Sequence, residues 1–237
     1  MSNYTKVSII IPAYNEKNTI REIVERTKKA NVLGLEKEII VVDNFSTDGT
    51  REIMQELGRD PMVKIILHDR NEGVGKSWRD GMFAASGQIL IRQDADLEYQ
   101  PEDFPLILKP ILEGKAKIVF GSRILGQKKN IYQYKTYLWG GLLINKIFNI
   151  VLRINLSDVL TASKSFEKSI LDSFSLECDH FEMESEFVAK ATRAGYTIKE
   201  VPITYRARSF AEGKKIRWYH AYRILITLLW YRFAALS

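Results

Sequence analysis

Gln88-Ile-Leu-Ile-Arg-Gln93 runs directly into Asp94-Ala-Asp96 and then into the turn Leu97-Glu-Tyr-Gln-Pro101. The apolar run reads as a strand over residues 89–93. It ends on two carboxylates one residue apart, with Glu98 two positions further on. Oxygens so placed suit a hard divalent cation, Mg2+ or Mn2+, which binds mainly through one or two carboxylates and substrate phosphates. By themselves two acids in a polar turn describe a solvated loop. The neighbouring segments give this turn its meaning.

Working outward, strands are expected over residues 7–11, 38–42, 63–67 and 118–120, and helices over 19–30, 49–57 and 73–85. Pro101 with Glu102 and Asp103 suits the first turn of a further helix, where a missing N–H is harmless and the dipole favours acids. Such alternation implies an α/β fold with a mostly parallel sheet covered by helices on both faces. Ligands of these sheets bind outside the carboxyl ends of the strands. The polar clusters at 12–16, 43–50 and 94–98 fall there. In the second half, residues 138–152 are apolar around most of a helix, with Asn145, Lys146 and Asn149 as a narrow polar stripe. That pattern fits a core helix and an interfacial helix on a membrane equally well. A strand over 197–205, a polar loop over 209–215 and an aromatic, basic helix over 216–233 complete the chain.

The 237 residues suffice for one large domain, and 46% hydrophobic with 27% charged residues is ordinary for a protein with a proper core. One cysteine, Cys178, excludes an internal disulfide and a cysteine-based zinc cluster, and suits a reducing, cytoplasmic compartment. Three histidines without a His-Glu-x-x-His motif argue against a zinc hydrolase. The net charge of +6 suits a solvated lysine-rich surface, or phosphate-bearing substrates, nucleic acid or an anionic membrane face. Of these partners nucleic acid is not expected once the motifs below are read. The first residues lack a signal peptide's apolar core, and no segment holds the roughly 18–20 uncharged apolar residues needed to span a bilayer. The expectation is peripheral contact at the cytoplasmic membrane face, with Lys135, Lys146, Leu143 and Ile147 on the docking surface; self-association into a homo-oligomer stays open. Gly73-Val-Gly-Lys-Ser77 imitates a phosphate-binding loop, but Arg70 stands where that motif needs a glycine.

Lys6-Val-Ser-Ile-Ile-Ile-Pro-Ala-Tyr-Asn-Glu16, Ile39-Ile-Val-Val-Asp-Asn-Phe-Ser-Thr-Asp-Gly-Thr50, Asp94-Ala-Asp-Leu97 and Gly121-Ser-Arg123 follow one another at strand ends. With Asp158-Val-Leu-Thr161, Lys164-Ser-Phe166, Glu182-Met-Glu-Ser-Glu186, Gly195-Tyr-Thr-Ile-Lys-Glu-Val-Pro-Ile203 and Glu212-Gly-Lys-Lys-Ile216, the set resembles the family 2 glycosyltransferases of the GT-A fold. Within them it is most similar to the dolichol- and polyprenol-phosphate sugar synthases. The resemblance covers nearly the whole chain. It implies a single GT-A domain over 1–237, with a nucleotide-sugar-binding half to about residue 125 and an acceptor- and membrane-facing half beyond it.

The resemblance also implies a nucleotide pocket of Pro12, Tyr14, Glu16, Val42 and Asn44. Residue chemistry agrees: Pro12 and Tyr14 can wall a base, and Glu16 or Asp43 can take ribose or base hydrogen bonds. Asp94, Ala95 and Asp96 are expected at the diphosphate, with Asp94, Asp96 and Glu98 around the metal. Arg206 and Lys214, with Arg208 and Lys215, line a loop beside the diphosphate. Arg123 is expected to face a phosphate through its planar fork, and Asp96 and Arg123 to carry catalysis. Where the family usually pairs two acids after the second strand, this chain has Asp43-Asn44. A carboxylate accepts the N1–H and N2–H of guanine, whereas a neutral carbonyl suits the single N3–H of uracil, so a UDP-sugar is favoured over a GDP-sugar. The resulting reading is an inverting hexosyl transfer to a polyprenyl or dolichyl phosphate. Transfer to a saccharide or protein hydroxyl, and a non-catalytic nucleotide-sugar-binding protein, are the alternatives. Glu184 and Glu186 receive no role at this level.

Overall fold

The computed structural model describes residues 4–126, 135–209 and 220–233. Seven strands form one sheet: β1 (Lys6–Ala13), β2 (Glu36–Asp43), β3 (Val63–Leu67), β4 (Ile89–Arg92), β5 (Ile118–Ser122), β6 (Lys164–Glu167) and β7 (Ile198–Pro202). Their order is β3-β2-β1-β4-β6-β5-β7. Only β6 runs antiparallel to its neighbours, so the sheet is mostly parallel, as the alternation implies. The helices are α1 (Ile20–Lys29), α2 (Thr50–Leu57), α3 (Val74–Ala84), α4 (Phe104–Leu112), α5 (Lys135–Leu152), α6 (Met183–Arg193) and α7 (His220–Phe233).

Successive strand side chains point to opposite faces, and in β1 this divides two cores. Ile9 and Ile11 join the core with residues of α1, α2 and α4, while Ile10 joins the other with residues of α3, α5, α6 and α7. Fully covered strands need apolar residues at both parities, which is why residues 9–11 of β1, 39–42 of β2 and 89–91 of β4 read as unbroken apolar runs.

Two elements escape the sequence pattern. β6 is four residues, Lys-Ser-Phe-Glu, with a fully buried lysine. In α6, residues 183–191 are all buried although Glu184, Glu186 and Lys190 are charged. A helix buried all round has no amphipathic stripe to betray it.

Helix α5 has one buried face and one exposed face. Phe148 and Leu152 are buried, whereas Trp139, Leu143 and Ile150 are exposed. Of its polar stripe Lys146 is exposed, while the two asparagines bond the following loop: Asn145 and Asn149 each donate to the Leu156 carbonyl, at 2.6 and 2.8 Å, and accept the N–H of Val159 and Leu156. That fixes the loop carrying Asp158. Among the described residues no helix is long and apolar enough to cross a membrane.

Candidate active site

Register aligns the carboxyl ends of β1, β2 and β4: Ala13 lies opposite Asp43, and Ile10 opposite Arg92. Three loops therefore meet at one edge of the sheet. Each contains a non-glycine residue in the left-handed region: Asn15 (φ 51°), Phe45 (φ 67°) and Leu97 (φ 62°). Such backbone costs energy, most of all for Leu, and persists only where surrounding structure enforces it. The bracing is visible. Asn15 N–H donates to Ser46 Oγ at 2.9 Å, Thr47 N–H to Asn15 Oδ1 at 2.9 Å, and Glu16 N–H to Thr50 Oγ1 at 2.8 Å.

At the third loop the acids are crowded. Burial first, then Glu98 and Asp94, push the Asp96 carboxyl up to about 7, against the opposing pull of Arg208. Arg208 donates to both oxygens of Glu16, at 2.9 and 3.1 Å, and to Asp96 Oδ2 at 3.1 Å. Glu98 accepts the Tyr205 hydroxyl and the Arg208 backbone N–H, both at 2.7 Å. Asp94 Oδ1 accepts Arg92 Nε at 3.0 Å, and the Arg92 fork continues to Glu184. Lys164, fully buried, closes the chain on the other oxygen of Glu184. Burial works against the charged forms of Arg92, Lys164 and Glu184. Asp94 and Glu184 nevertheless raise Arg92, and Arg92 and Lys164 hold Glu184 below the usual carboxylate range.

Several expected residues occupy other places. Arg123 does not present an open fork; Asp158 clamps it, with Nε and Nη2 each at 2.7 Å and the backbone N–H at 2.9 Å. Its guanidinium lies over the Tyr205 ring, 5.2 Å from the centroid. Glu98, expected beside the metal, has both carboxylate oxygens committed to the segment at 205–208. Asp43 is fully buried, accepting from Arg51 Nε at 2.8 Å and from the Ser46 N–H. Asn44 donates to Asn71 Oδ1 at 3.0 Å and accepts the Glu72 N–H at 2.9 Å, which shapes the start of α3. Pro12, Val42 and Ala95 are buried at the strand ends, and Tyr14 is half-buried. Arg206 is exposed, and Arg208 is the arginine that reaches the acids. Tyr205 and Ala207 point inward with strand period, so Arg206 points out; Arg208 lies where the bridge between Tyr99 and Tyr205 has ended. Lys214 and Lys215 lie outside the described residues.

Glu186, fully buried, accepts the N–H groups of Glu177 and Cys178, both at 2.8 Å, and pairs with Lys190 at 3.0 Å. Its role is structural. The glycines of 73–77 have a packing reason too: a Cβ on Gly73 or Gly75 would meet the backbone of Asp179 or Cys178 at 2.3 and 2.5 Å.

Among the described residues no three acidic, imidazole or thiol groups gather into a metal cage. A cage is not what Mg2+ or Mn2+ requires, since one or two carboxylates and a diphosphate suffice. Asp94 and Asp96, two carboxylates one residue apart at the sheet's edge, fit that partial site.

A mostly parallel sheet with an acidic turn at its carboxyl edge, helices on both faces and one reversed strand defines a glycosyltransferase of the GT-A fold. The chain belongs to glycosyl transferase family 2, whose profile matches residues 8–174. It is 31% identical over 229 residues to a dolichol-phosphate mannosyltransferase of Pyrococcus furiosus, covering 93% of this chain and 64% of that one. It is 29% identical over 230 residues to a UDP-N-acetylglucosamine--dolichyl-phosphate N-acetylglucosaminyltransferase of Methanococcus voltae, covering 89% and 90%. The chain thus spans just under two thirds of the first relative and nine-tenths of the second. Among solved structures, glucosyl-3-phosphoglycerate synthase from Mycobacterium tuberculosis with Mn2+, UDP-glucose and phosphoglyceric acid superposes with a TM-score of 0.76. The alignment covers 99% of this chain and 82% of that one, at 20% identity, a likeness of fold alone.

Proposed function

We propose that this chain transfers a hexosyl group, with inversion, from a nucleotide diphosphate sugar to a polyprenyl phosphate. One observation carries the reading: Glu16, Asp96 and Glu98 meet around Arg208 at the sheet's carboxyl edge, with Asp94 held beside them by Arg92, in a family 2 chain similar to two dolichyl-phosphate transferases. Residues up to about 125 hold the donor, and the rest faces the acceptor. Asp94 and Asp96 would hold Mg2+ or Mn2+, which supplies positive charge to the departing diphosphate. Arg92 orients Asp94, and the braced loops exclude water and fix the donor. A phosphate monoester is largely ionised at neutral pH, so it attacks without a strong base, and alignment and electrostatics supply the rate. A hydroxyl acceptor needs a general base. Glu184, the buried acid joined to Asp94 through Arg92, is committed to Arg92 and Lys164, which favours the phosphate acceptor.

Incubation with a panel of radiolabelled nucleotide sugars and a short polyprenyl phosphate tests this. Label should enter the lipid; label entering only saccharides or peptides would reverse the acceptor assignment, and no transfer with any donor would leave the binding-protein alternative.

The donor base is proposed to be uracil. Asp43 is paired with Arg51 and buried, so the carboxylate at the end of β2 is not open to the N1–H and N2–H of guanine. In the presence of Mn2+, UDP should raise the melting temperature more than GDP at equal concentration, because selective binding to the native state stabilises it. A larger shift with GDP would assign the donor the other way.

Membrane contact is proposed through α5 and α7, which lie side by side with Arg232 Nε on the Val151 carbonyl at 3.0 Å. Trp139, Leu143, Ile150, Tyr222, Trp230 and Phe233 are exposed, with Lys146 and Arg223 among them. Ile147, expected on the same face, packs against the core instead. Apolar and aromatic side chains flanked by cations favour the interface of an anionic bilayer. The chain should bind phosphatidylglycerol vesicles, less so as salt rises, and Leu143→Ser with Trp230→Ser should weaken binding at least about tenfold, roughly 1.4 kcal/mol. Wild-type protein indifferent to vesicles at low salt would exclude docking.

A further inference from the structure

We propose that Arg208 is the internal counter-ion of the acidic turn, and that its transfer from Asp96 to the donor's diphosphate makes the divalent cation and the nucleotide bind as a coupled pair. This rests on the donor-site reading above and goes beyond it in assigning a linkage between two ligands.

Arg208 is delivered to the acids by its own segment. The Tyr205 hydroxyl and Arg208 N–H bond the two oxygens of Glu98, and the Arg206 N–H bonds the Glu98 carbonyl at 3.0 Å. The guanidinium, with 13% of the side chain exposed, then lies between Glu16 and Asp96. Its two terminal nitrogens are bonded, but Nε is buried without a hydrogen-bond partner among the described residues. An arginine that leaves one buried donor unsatisfied is held in place by charge more than by a complete set of bonds. Such a group exchanges readily when a better anion arrives.

A divalent cation at Asp96 meets Arg208 as a like charge on the same carboxylate. Bound alone, it must work against that cation or expel it from a buried pair. A diphosphate removes the conflict, because it offers the planar fork two oxygens of its own. Arg208 then leaves Asp96 to the metal and keeps an anionic partner. Linkage is reciprocal, so metal must tighten nucleotide by the factor that nucleotide tightens metal. Free of donor, the site stays neutralised and poorly receptive to metal.

The test is titration of Mn2+ into the full chain, read as free Mn2+ by electron paramagnetic resonance, with and without UDP or GDP. Wild type is compared with Arg208→Gln and Arg208→Met, the second keeping the apolar stem in case the first does not fold; either folded variant decides the matter. A neutral residue should tighten Mn2+ binding without nucleotide by about tenfold or more, within the usual range of coupling. It should also shrink the factor by which the nucleoside diphosphate tightens Mn2+. Arg208→Lys, which keeps the charge, should stay near wild type for Mn2+ alone. Unchanged Mn2+ affinity in folded neutral variants, with Mn2+ and nucleotide still bound by wild type, overturns the counter-ion role but leaves the donor site standing. Failure of Mn2+ to bind any form, with or without nucleotide, overturns the metal site and this proposal together.

Discussion

Asp96→Asn is expected to lower turnover by about 10³-fold or more, on the order of 4 kcal/mol of transition-state stabilisation, while leaving the fold intact. The two halves of that statement have separate causes. Asparagine is nearly isosteric and its Oδ1 can still accept the Glu98 N–H, the bond that shapes the turn at 3.1 Å. Losing the charge also relieves the cost of its burial and the repulsion among Asp94, Asp96 and Glu98, which in that order push the Asp96 carboxyl up to about 7. Arg208 keeps both oxygens of Glu16. The melting temperature should therefore fall by no more than a few degrees. A neutral amide, however, offers the cation an oxygen without the negative charge that holds it, and the departing diphosphate then lacks its counter-charge. Wild-type activity should likewise vanish in EDTA and return with Mn2+ or Mg2+. Full turnover in excess chelator would remove the metal from the mechanism.

Glu184→Ala should destabilise the protein by about 3–5 kcal/mol, the cost of leaving buried charge without its partner. Glu184 sits between Arg92 and Lys164, which are 4% and 1% exposed. Without it two buried cations face one another, with Asp94 and the Thr161 carbonyl as their remaining hydrogen-bond acceptors among the described residues. For a chain of this size each kcal/mol is worth about 2–4 °C, so the melting temperature should fall by roughly 10 °C. Adding Lys164→Met removes one orphaned cation and should recover part of the loss. Glu184→Gln, which retains an acceptor oxygen, should cost less than alanine. Thermal unfolding of the four proteins checks the series. A shift below about 2 °C for Glu184→Ala would mean that water screens these charges and that Asp94 is not held through them.

Much of the architecture was legible because its causes are local. β3 runs over Val63–Leu67 as expected, and β1, β2 and β5 start or end within a few residues of the expected bounds, since an apolar β-branched run needs no distant partner to declare itself. β6 and α6 were not legible. Lys164, Glu184 and Glu186 look like surface residues until their partners are known. The decision between core and membrane for 138–152 was likewise out of reach, because the helix is apolar on both the buried face of Phe148 and the exposed face of Trp139.

The sequence by itself determined which chemistry gathers at the sheet's edge. Strand periodicity and turn-forming residues put Glu16, Asp43, Asn44, Asp94 and Asp96 at carboxyl ends, and the ordered motifs pointed to a family that the profile then confirmed. What only the tertiary structure decided is who faces whom. Arg123 turns to Asp158, 35 positions away, Arg92 to Glu184 across 92, and Arg208 to Glu16 across 192. A charged side chain advertises its sign locally, but burial obliges it to find an opposite charge wherever the packed chain brings one within reach.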